Sequence, residues 1–353
     1  MIFYVLNCNY YYFLCVFFYS LGNYPRIVVI DRLRDHLTSL AVTKSTRKKM
    51  QSHLNAYLSF CNNFNFRSFP LNVIVVSRYV SYLAHVGRRF GTIQNHISSL
   101  KHFHQVYGFS SGWEQQYFFG LIIKGIKRYL GMQATRKKAI TPFMLHRMAF
   151  FFDLRIPLHA AMWALFLVAF FSFLRNSNLV VKNMRSVSSV KVLRCSHLIL
   201  NENTAFLRIL ATKTIQFAQR SLNIPLPVIP GSILCPVAAL HTHLKLNQVP
   251  ASAPLFSVLA SDSESVQAIT YPQFSRFLAR SLQAIGADPS EFSPHSFRRG
   301  GATFAFDCGL PAELIKLQGD WRSDAYLVYF EMTDHQKRTA VNAMAHALQQ
   351  IGL

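Results

Sequence analysis

Acidic residues are scarce in this chain: 15 Asp and Glu stand against 37 Lys and Arg in 353 residues. The missing counter-charge leaves a formal net charge of +22 and a pI near 10.0. For a chain this apolar, such an imbalance points to a polyanionic partner, nucleic acid first and an anionic membrane surface second. Cysteine is also sparse. Six are scattered (Cys8, Cys15, Cys61, Cys195, Cys235, Cys308) with no C-x-x-C pair and no close Cys/His cluster, which excludes a zinc site of the usual spacing and reads as reduced intracellular thiols. The histidines of KHFHQ and HTHLKL lack acidic or cysteine neighbours, so they read as core or surface residues and no metal site is expected. No internal repeat of fixed period is present.

What the chain has in quantity is apolar residues, 51% of the total, enough for two domains with cores of their own. The basic excess is uneven. Residues 1–140 hold 18 Lys and Arg against 3 Asp and Glu, and residues 141–353 hold 19 against 12, so the first part reads as the domain that grips DNA. Residues 1–30 form an apolar extension of uncertain status. Its opening, MIFYVLNCNYYYFLCVFFYSL, has no Lys or Arg ahead of its apolar part, is interrupted by Asn7 and Asn9, and is followed by no A-x-A-like site. A misassigned start, a membrane segment and a native extension all remain open for it.

Residues 31–135 read as a bundle of four or five helices. STRKKMQSHLNAYLSFC has Ser45 or Thr46 as a capping residue and Met50, Leu54, Leu58 and Cys61 at steps of three or four. NVIVVSRYVSYLAHV, TIQNHISSLKHFHQVYG and the run ending LIIKGIKRYLG continue the pattern, with glycines as stops. Lys44, Arg47, Lys48, Lys49, Arg88, Arg89, Lys101, Lys124, Lys127 and Arg128 fall at helix ends and on polar faces. With almost no acids beside them, they are candidate phosphate contacts. A basic stretch then leads to Thr141 as N-cap with Pro142 in the first turn, and a second domain is expected over 141–353. There PLHAAMWALFLVAFFSFLR reads as a fully buried helix. VKVLRCSHLIL, AFLRILATKT and RSLNIPLPV read as strands of a small antiparallel sheet. Helices resume through PVAALHTHLKL, YPQFSRFLARSLQAIG, PAELIKLQ, DAYLVYF and DHQKRTAVNAMAHALQQ. The fold class is α+β, mainly α.

In SPHSFRRGGATFAFDCGL, Ser293 and Pro294 read as N-cap and first turn, which puts His295 and Arg298 on one helix face at i, i+3. A proton-carrying imidazole beside a guanidinium fork suits a phosphate oxyanion. Arg175 follows the buried helix, Lys213 lies at a turn between two strands, and GDWRSDAYLVYF supplies Trp321, Tyr326 and Tyr329. Tyr326 and Phe330, at i, i+4, stack as a core pair would on a helix, whereas Tyr329 is rotated off that ridge.

The order Arg, turn lysine, H-x-x-R, G-x-W, Tyr resembles the tyrosine recombinases of the phage integrase family. FLRNSNL, TKTIQF…IPLP, SPHSFRRGGAT and GDWRSDAYLVYF are similar to blocks of the eukaryotic mobile-element members, the DIRS-type and Crypton recombinases. The likeness runs from about residue 40 to the end. It implies an N-terminal helical core-binding (SAM-like) bundle and a C-terminal catalytic domain, clamping double-stranded DNA as a homo-oligomer, a tetramer on DNA, in the nucleus. It implies that Arg175 and Arg298 hold the scissile phosphate, Lys213 protonates the departing 5′ oxygen, His295 orients or deprotonates, Trp321 donates its indole N–H, and Tyr329 attacks to give a 3′-phosphotyrosyl link. No metal, ATP or other cofactor is implied. Arg299 is expected to meet the DNA backbone or act as a structural cation. Two departures stand out. Asn178 occupies a position where many relatives carry an acid three residues after the first arginine. The nucleophile stands eight after Trp321 rather than nine, where this chain has Phe330. The alternative is a domesticated, non-cleaving DNA-binding protein that keeps the fold.

Overall fold

A computed structural model describes residues 26–110, 112–131, 136–201, 204–212, 215, 220–260, 265–329 and the scattered positions 338, 341–342, 345–346 and 348–350. The apolar opening falls outside the described residues apart from positions 26–30, which begin the first helix. The chain divides into two compact units, residues 1–134 and 135–353. Among the described residues no helix is long and apolar enough to cross a membrane.

Among the described residues the first unit holds five α-helices: α1 (Ile27–Leu40), α2 (Lys44–Asn63), α3 (Val73–His85), α4 (Phe90–Val106) and α5 (Tyr117–Leu130). Helix α2 starts earlier than the capping residues expected for it. Thr43 is the cap, and its hydroxyl accepts from the Thr46 N–H, so Ser45 and Thr46 lie in the first turn. Asn72 caps α3 in the same way, accepting from the Ile74 and Val75 N–H groups. The core is set by the three-to-four spacing: Leu54, Tyr57 and Cys61 of α2, Val76, Tyr79, Val80 and Leu83 of α3, and Ile93 and Leu100 of α4 are buried together.

Two of the buried histidines stack on each other inside this core. His53 and His96 stack with ring centroids 4.0 Å apart, His53 Nδ1 pairs with Ser99 Oγ at 2.8 Å, and His96 Nδ1 with the Tyr79 hydroxyl at 2.9 Å. Burial first, then the charges of His53, Arg88 and Lys49, lower the His96 pKa to about 4; burial and Lys49 lower that of His53. A histidine whose folded pKa lies below its unfolded 6.5 contributes stability that is fully present above pH 6.5 and is lost as pH falls towards 4. Acidification across that window should therefore remove on the order of 3 kcal/mol. Thermal unfolding of the full chain from pH 7 to 4 should show the loss, and His96→Gln should flatten it.

The second unit begins with α6 (Pro142–Ala149), capped by Thr141 with proline in its first turn as its sequence predicts. Helix α7 (Pro157–Phe171) is buried on every face over Ala160–Phe170 and forms the spine of a core shared with α9 (Pro236–Asn247) and α10 (Tyr271–Ala284). The four-residue α8 (Asn176–Leu179) follows it. Three strands, β1 (Leu198–Asn201), β2 (Thr204–Ile209) and β3 (Leu222–Leu226), pair antiparallel in sequence order, with Leu207 opposite Leu198 and Ile224. Only the end of VKVLRCSHLIL is strand; its earlier part is irregular and closes in a 3-10 turn, Cys195–His197. A second two-stranded sheet, β4 (Ser257–Leu259) with β5 (Val266–Ala268), has strands too short to show alternation in the sequence. His243 of HTHLKL is a core histidine, bonded to the Leu255 carbonyl at 2.8 Å and to Asn247.

Helix α11 (His295–Asp307) and α12 (Ala312–Gln318) complete the unit. The expected cap of α11 shifts by one: Pro294, not Ser293, is the N-cap, and His295 is the first helical residue. The two glycines of RRGGAT are set by packing. A Cβ on Gly300 would lie 1.9 Å from the Ile140 carbonyl oxygen, and one on Gly301 1.9 Å from that of Phe170, so only glycine lets α11 lie this close to the backbone at Ile140 and to the end of α7. DAYLVYF, expected as an α-helix, is a 3-10 helix over Asp324–Tyr329.

Candidate active site

Helix geometry places the first pair. His295 and Arg298, three residues apart, project from the first turn of α11. The Arg298 side chain is only 2% exposed. Its guanidinium donates to the Phe173 carbonyl and, at 2.8 Å, to the Gly319 carbonyl, and lies 3.8 Å above the Trp321 ring. Trp321 is backed by Tyr326, ring centroids 5.8 Å apart. Residues 319–326 thus wrap Arg298 with a carbonyl and an aromatic face, both favourable surroundings for a desolvated cation. A Cβ on Gly319 would fall 1.7 Å from the Trp321 ring, so this glycine is what lets the indole fold back.

Arg175 is the N-cap of α8 and retains 24% side-chain exposure. It forms an ion pair, Nη1 to Asp320 Oδ2, at 3.7 Å, longer than a hydrogen bond. Loss of hydration on its packed side, then the charges of Arg298 and Arg175, lower the pKa of His295 to about 4. The residue is exposed, and the two guanidinium charges disfavour its protonated form, so His295 is neutral at pH 7.

Arg175, His295, Arg298 and Trp321 are therefore brought to one place, all within the second unit. Lys213 lies outside the described residues. Of Tyr329 the backbone is described, as the last residue of the 3-10 helix. Phe330, the expected stacking partner of Tyr326, also lies outside the described residues; the packing of Tyr326 is against Trp321 and Lys316. Arg299 donates to the Lys137 carbonyl at 2.7 Å.

Asn178, whose place in the sequence leaves the support of Arg175 either weaker or made differently, bonds elsewhere. Its amide Nδ2 donates to the carbonyls of Lys191 at 2.9 Å and Ala211 at 2.8 Å. It is 1% exposed. A carboxylate could donate to neither, which is the physical reason an amide stands here. The carboxylate beside Arg175 comes instead from Asp320, missed in the sequence because a lone aspartate after glycine reads as a turn residue. We expect Asn178→Asp to cost about 3 kcal/mol or more by facing a buried charge with two carbonyls, visible as a fall of roughly 10 °C in the thermal unfolding of this unit.

In the first unit, Lys44, Arg47, Lys48 and Lys49 line the first turns of α2, Arg88 and Arg89 precede α4, and Lys124 lies on α5; all are exposed. Arg47 also donates to the Ser39 and Val42 carbonyls. Lys101 departs from this set. Its ammonium is 2.6 Å from Glu114, one of only three acids in the first 140 residues. Among the described residues no group of three His, Cys, Asp or Glu side chains is placed to hold a metal.

Neither a protein-family model nor a curated protein matches this sequence. Solved structures do match its fold. The XerH site-specific recombinase bound to difH substrate aligns with a TM-score of 0.53 at 12% identity, over 81% of this chain and 74% of that one. A lambda integrase dimer bound to a COC' core site gives 0.52 at 12%, over 87% and 95%. The Tn1549 transposon integrase in complex with transposon right end DNA gives 0.54 at 14%, over 86% and 93%. A lambda integrase tetramer bound to a Holliday junction gives 0.54 at 12%. At such identities the likeness is one of fold: a mainly helical chain with small antiparallel sheets that has the architecture of the tyrosine recombinases and integrases.

Proposed function

We propose that this chain is a site-specific DNA recombinase or integrase that breaks and rejoins DNA through a 3′-phosphotyrosyl intermediate. The observation that carries this reading is the convergence of Arg175, His295, Arg298 and Trp321, from three separate stretches of sequence, on a fold shared with DNA-bound recombinases. Two guanidinium groups fixed before the substrate arrives suit the charge that builds on the non-bridging oxygens of a phosphodiester, and preorganised stabilisation of that kind is a large catalytic contribution. In the proposed step the Tyr329 hydroxyl oxygen attacks phosphorus as the bond to the 5′ oxygen breaks. Neutral His295 takes or orients the tyrosine proton, and Lys213 protonates the departing oxygen. The bond energy is kept in the phosphotyrosine, so rejoining requires only reversal of the step by a 5′ hydroxyl.

The exposed lysines and arginines of the first unit support a DNA-gripping role for it. The dimeric and tetrameric states of the lambda integrase complexes support assembly on double-stranded DNA as a homo-oligomer. The sequence blocks and the spacing of eight support a DIRS-type or Crypton-like member acting in the nucleus. Incubating the purified chain with duplex DNA recovered from a random pool by its own binding, nicked to trap cleavage, tests the reading: a covalent protein–DNA adduct is expected. Tight DNA binding without an adduct on any substrate would instead establish the non-cleaving DNA-binding protein.

A further inference from the structure

We propose that Asp320 is a positioning residue for this site: its carboxylate anchors Arg175 and both ends of the segment that bears Lys213, taking the part of the acid that Asn178 does not supply. The inference rests on the recombinase reading for its catalytic consequence and on the geometry alone for the clamp.

Asp320 is the one carboxylate among the buried side chains of the described residues, with 1% side-chain exposure. An ionised carboxylate removed from water is stable only when donors surround it, and here they come from three separate stretches. Thr212 Oγ1 donates to Oδ2 at 2.7 Å, Arg220 Nη2 donates to Oδ1 at 2.6 Å, and Arg175 Nη1 faces Oδ2 at 3.7 Å. Thr212 and Arg220 bracket residues 213–219, so one side chain holds both roots of the segment on which Lys213 lies. Thr212 tightens that hold, because its hydroxyl also accepts from the Ile215 N–H at 2.9 Å. Asp320 adopts φ 51°, a left-handed conformation that aspartate tolerates better than most residues. This turn also places Gly319, whose carbonyl receives Arg298, and Trp321, whose ring carries it. Displacing Asp320 therefore moves Arg175, Arg298, Trp321 and the Lys213 segment together, while touching no reacting atom.

The experiment compares wild type, Asp320→Asn and Asp320→Glu as full chains in two readouts: adduct trapping on the selected nicked duplex, with DNA affinity measured alongside, and amide hydrogen exchange over 208–222. Asp320→Asn should trap about 100-fold more slowly, the scale of a small misplacement of catalytic groups, with unchanged DNA affinity. Its exchange at 211–213 and 219–221 should rise, and Asp320→Glu should recover part of both. Trapping at the wild-type rate, a parallel loss of DNA affinity, or unaltered exchange would overturn the proposal. If wild type itself forms no adduct, the recombinase reading falls and the clamp is decided by exchange alone. Should Asp320→Asn fail to fold, Arg220→Gln, which removes the partner that is 47% exposed, carries the same comparison.

Discussion

Arg298→Ala should destabilise the second unit by about 3–5 kcal/mol and slow adduct formation by about 10²–10³-fold, whereas Arg175→Ala should match it in activity but cost less than about 1 kcal/mol in stability. The difference follows from what each guanidinium touches. Arg298 is 2% exposed and supplies donors to two backbone carbonyls, Phe173 and Gly319, while covering the Trp321 ring. Truncation strands both carbonyls and bares an aromatic face, and each buried orphan acceptor costs roughly 1–3 kcal/mol. Arg298→Lys keeps the charge but loses the planar fork that serves two acceptors at once, so most of the stability loss should persist. Arg175 is 24% exposed and its ion pair is 3.7 Å long. Asp320 keeps Thr212 and Arg220 when it is removed. For cleavage the two should fall alike, by about 10²–10³-fold, as expected when one of two preorganised donors to a developing oxyanion is lost. Chemical denaturation and adduct trapping on the same preparations separate the two effects. Equal destabilisation by both variants would refute the division.

How much of this was legible in the sequence depends on the range over which each feature is encoded. The helices of the first unit and α7 were readable because their signal is local: apolar residues at three-to-four spacing, or no polar face at all, with Thr141 and Pro142 marking a start. Boundaries were less so. Thr43 outcompetes Ser45 and Thr46 as cap of α2 because its hydroxyl meets the Thr46 N–H, a backbone detail that composition does not carry. The arginines, His295 and Trp321 were found through their order along the chain. Asp320 was invisible to that approach. Its partners Thr212 and Arg220 are 108 and 100 positions away, and their approach to it is a long-range contact that local sequence does not carry. The bonding of Asn178 was hidden for the same reason: what it bonds is the backbone of Lys191 and Ala211, and backbone acceptors leave no trace in side-chain identity.

Tyr329→Phe should eliminate the adduct altogether, while Tyr326→Phe should leave it intact within a few-fold. The tyrosines stand three apart in one 3-10 helix, where residues i and i+3 eclipse, so spacing alone does not separate them; surroundings do. Tyr326 is 5% exposed, its ring lies 5.8 Å from that of Trp321, and the Lys316 ammonium sits 5.7 Å from its centre. A ring so engaged supports the indole that in turn carries Arg298, and replacing its hydroxyl with hydrogen keeps that stack. Tyr326→Ala, by contrast, should remove the backing of Trp321, costing about 3 kcal/mol or more and slowing trapping through Arg298. On the proposed mechanism, loss of the Tyr329 oxygen removes the nucleophile itself. Peptide mapping of the adduct decides between the residues directly. DNA attached to a peptide through Tyr326 would overturn the assignment, along with the inference that eight residues after Trp321 is the working distance in this chain.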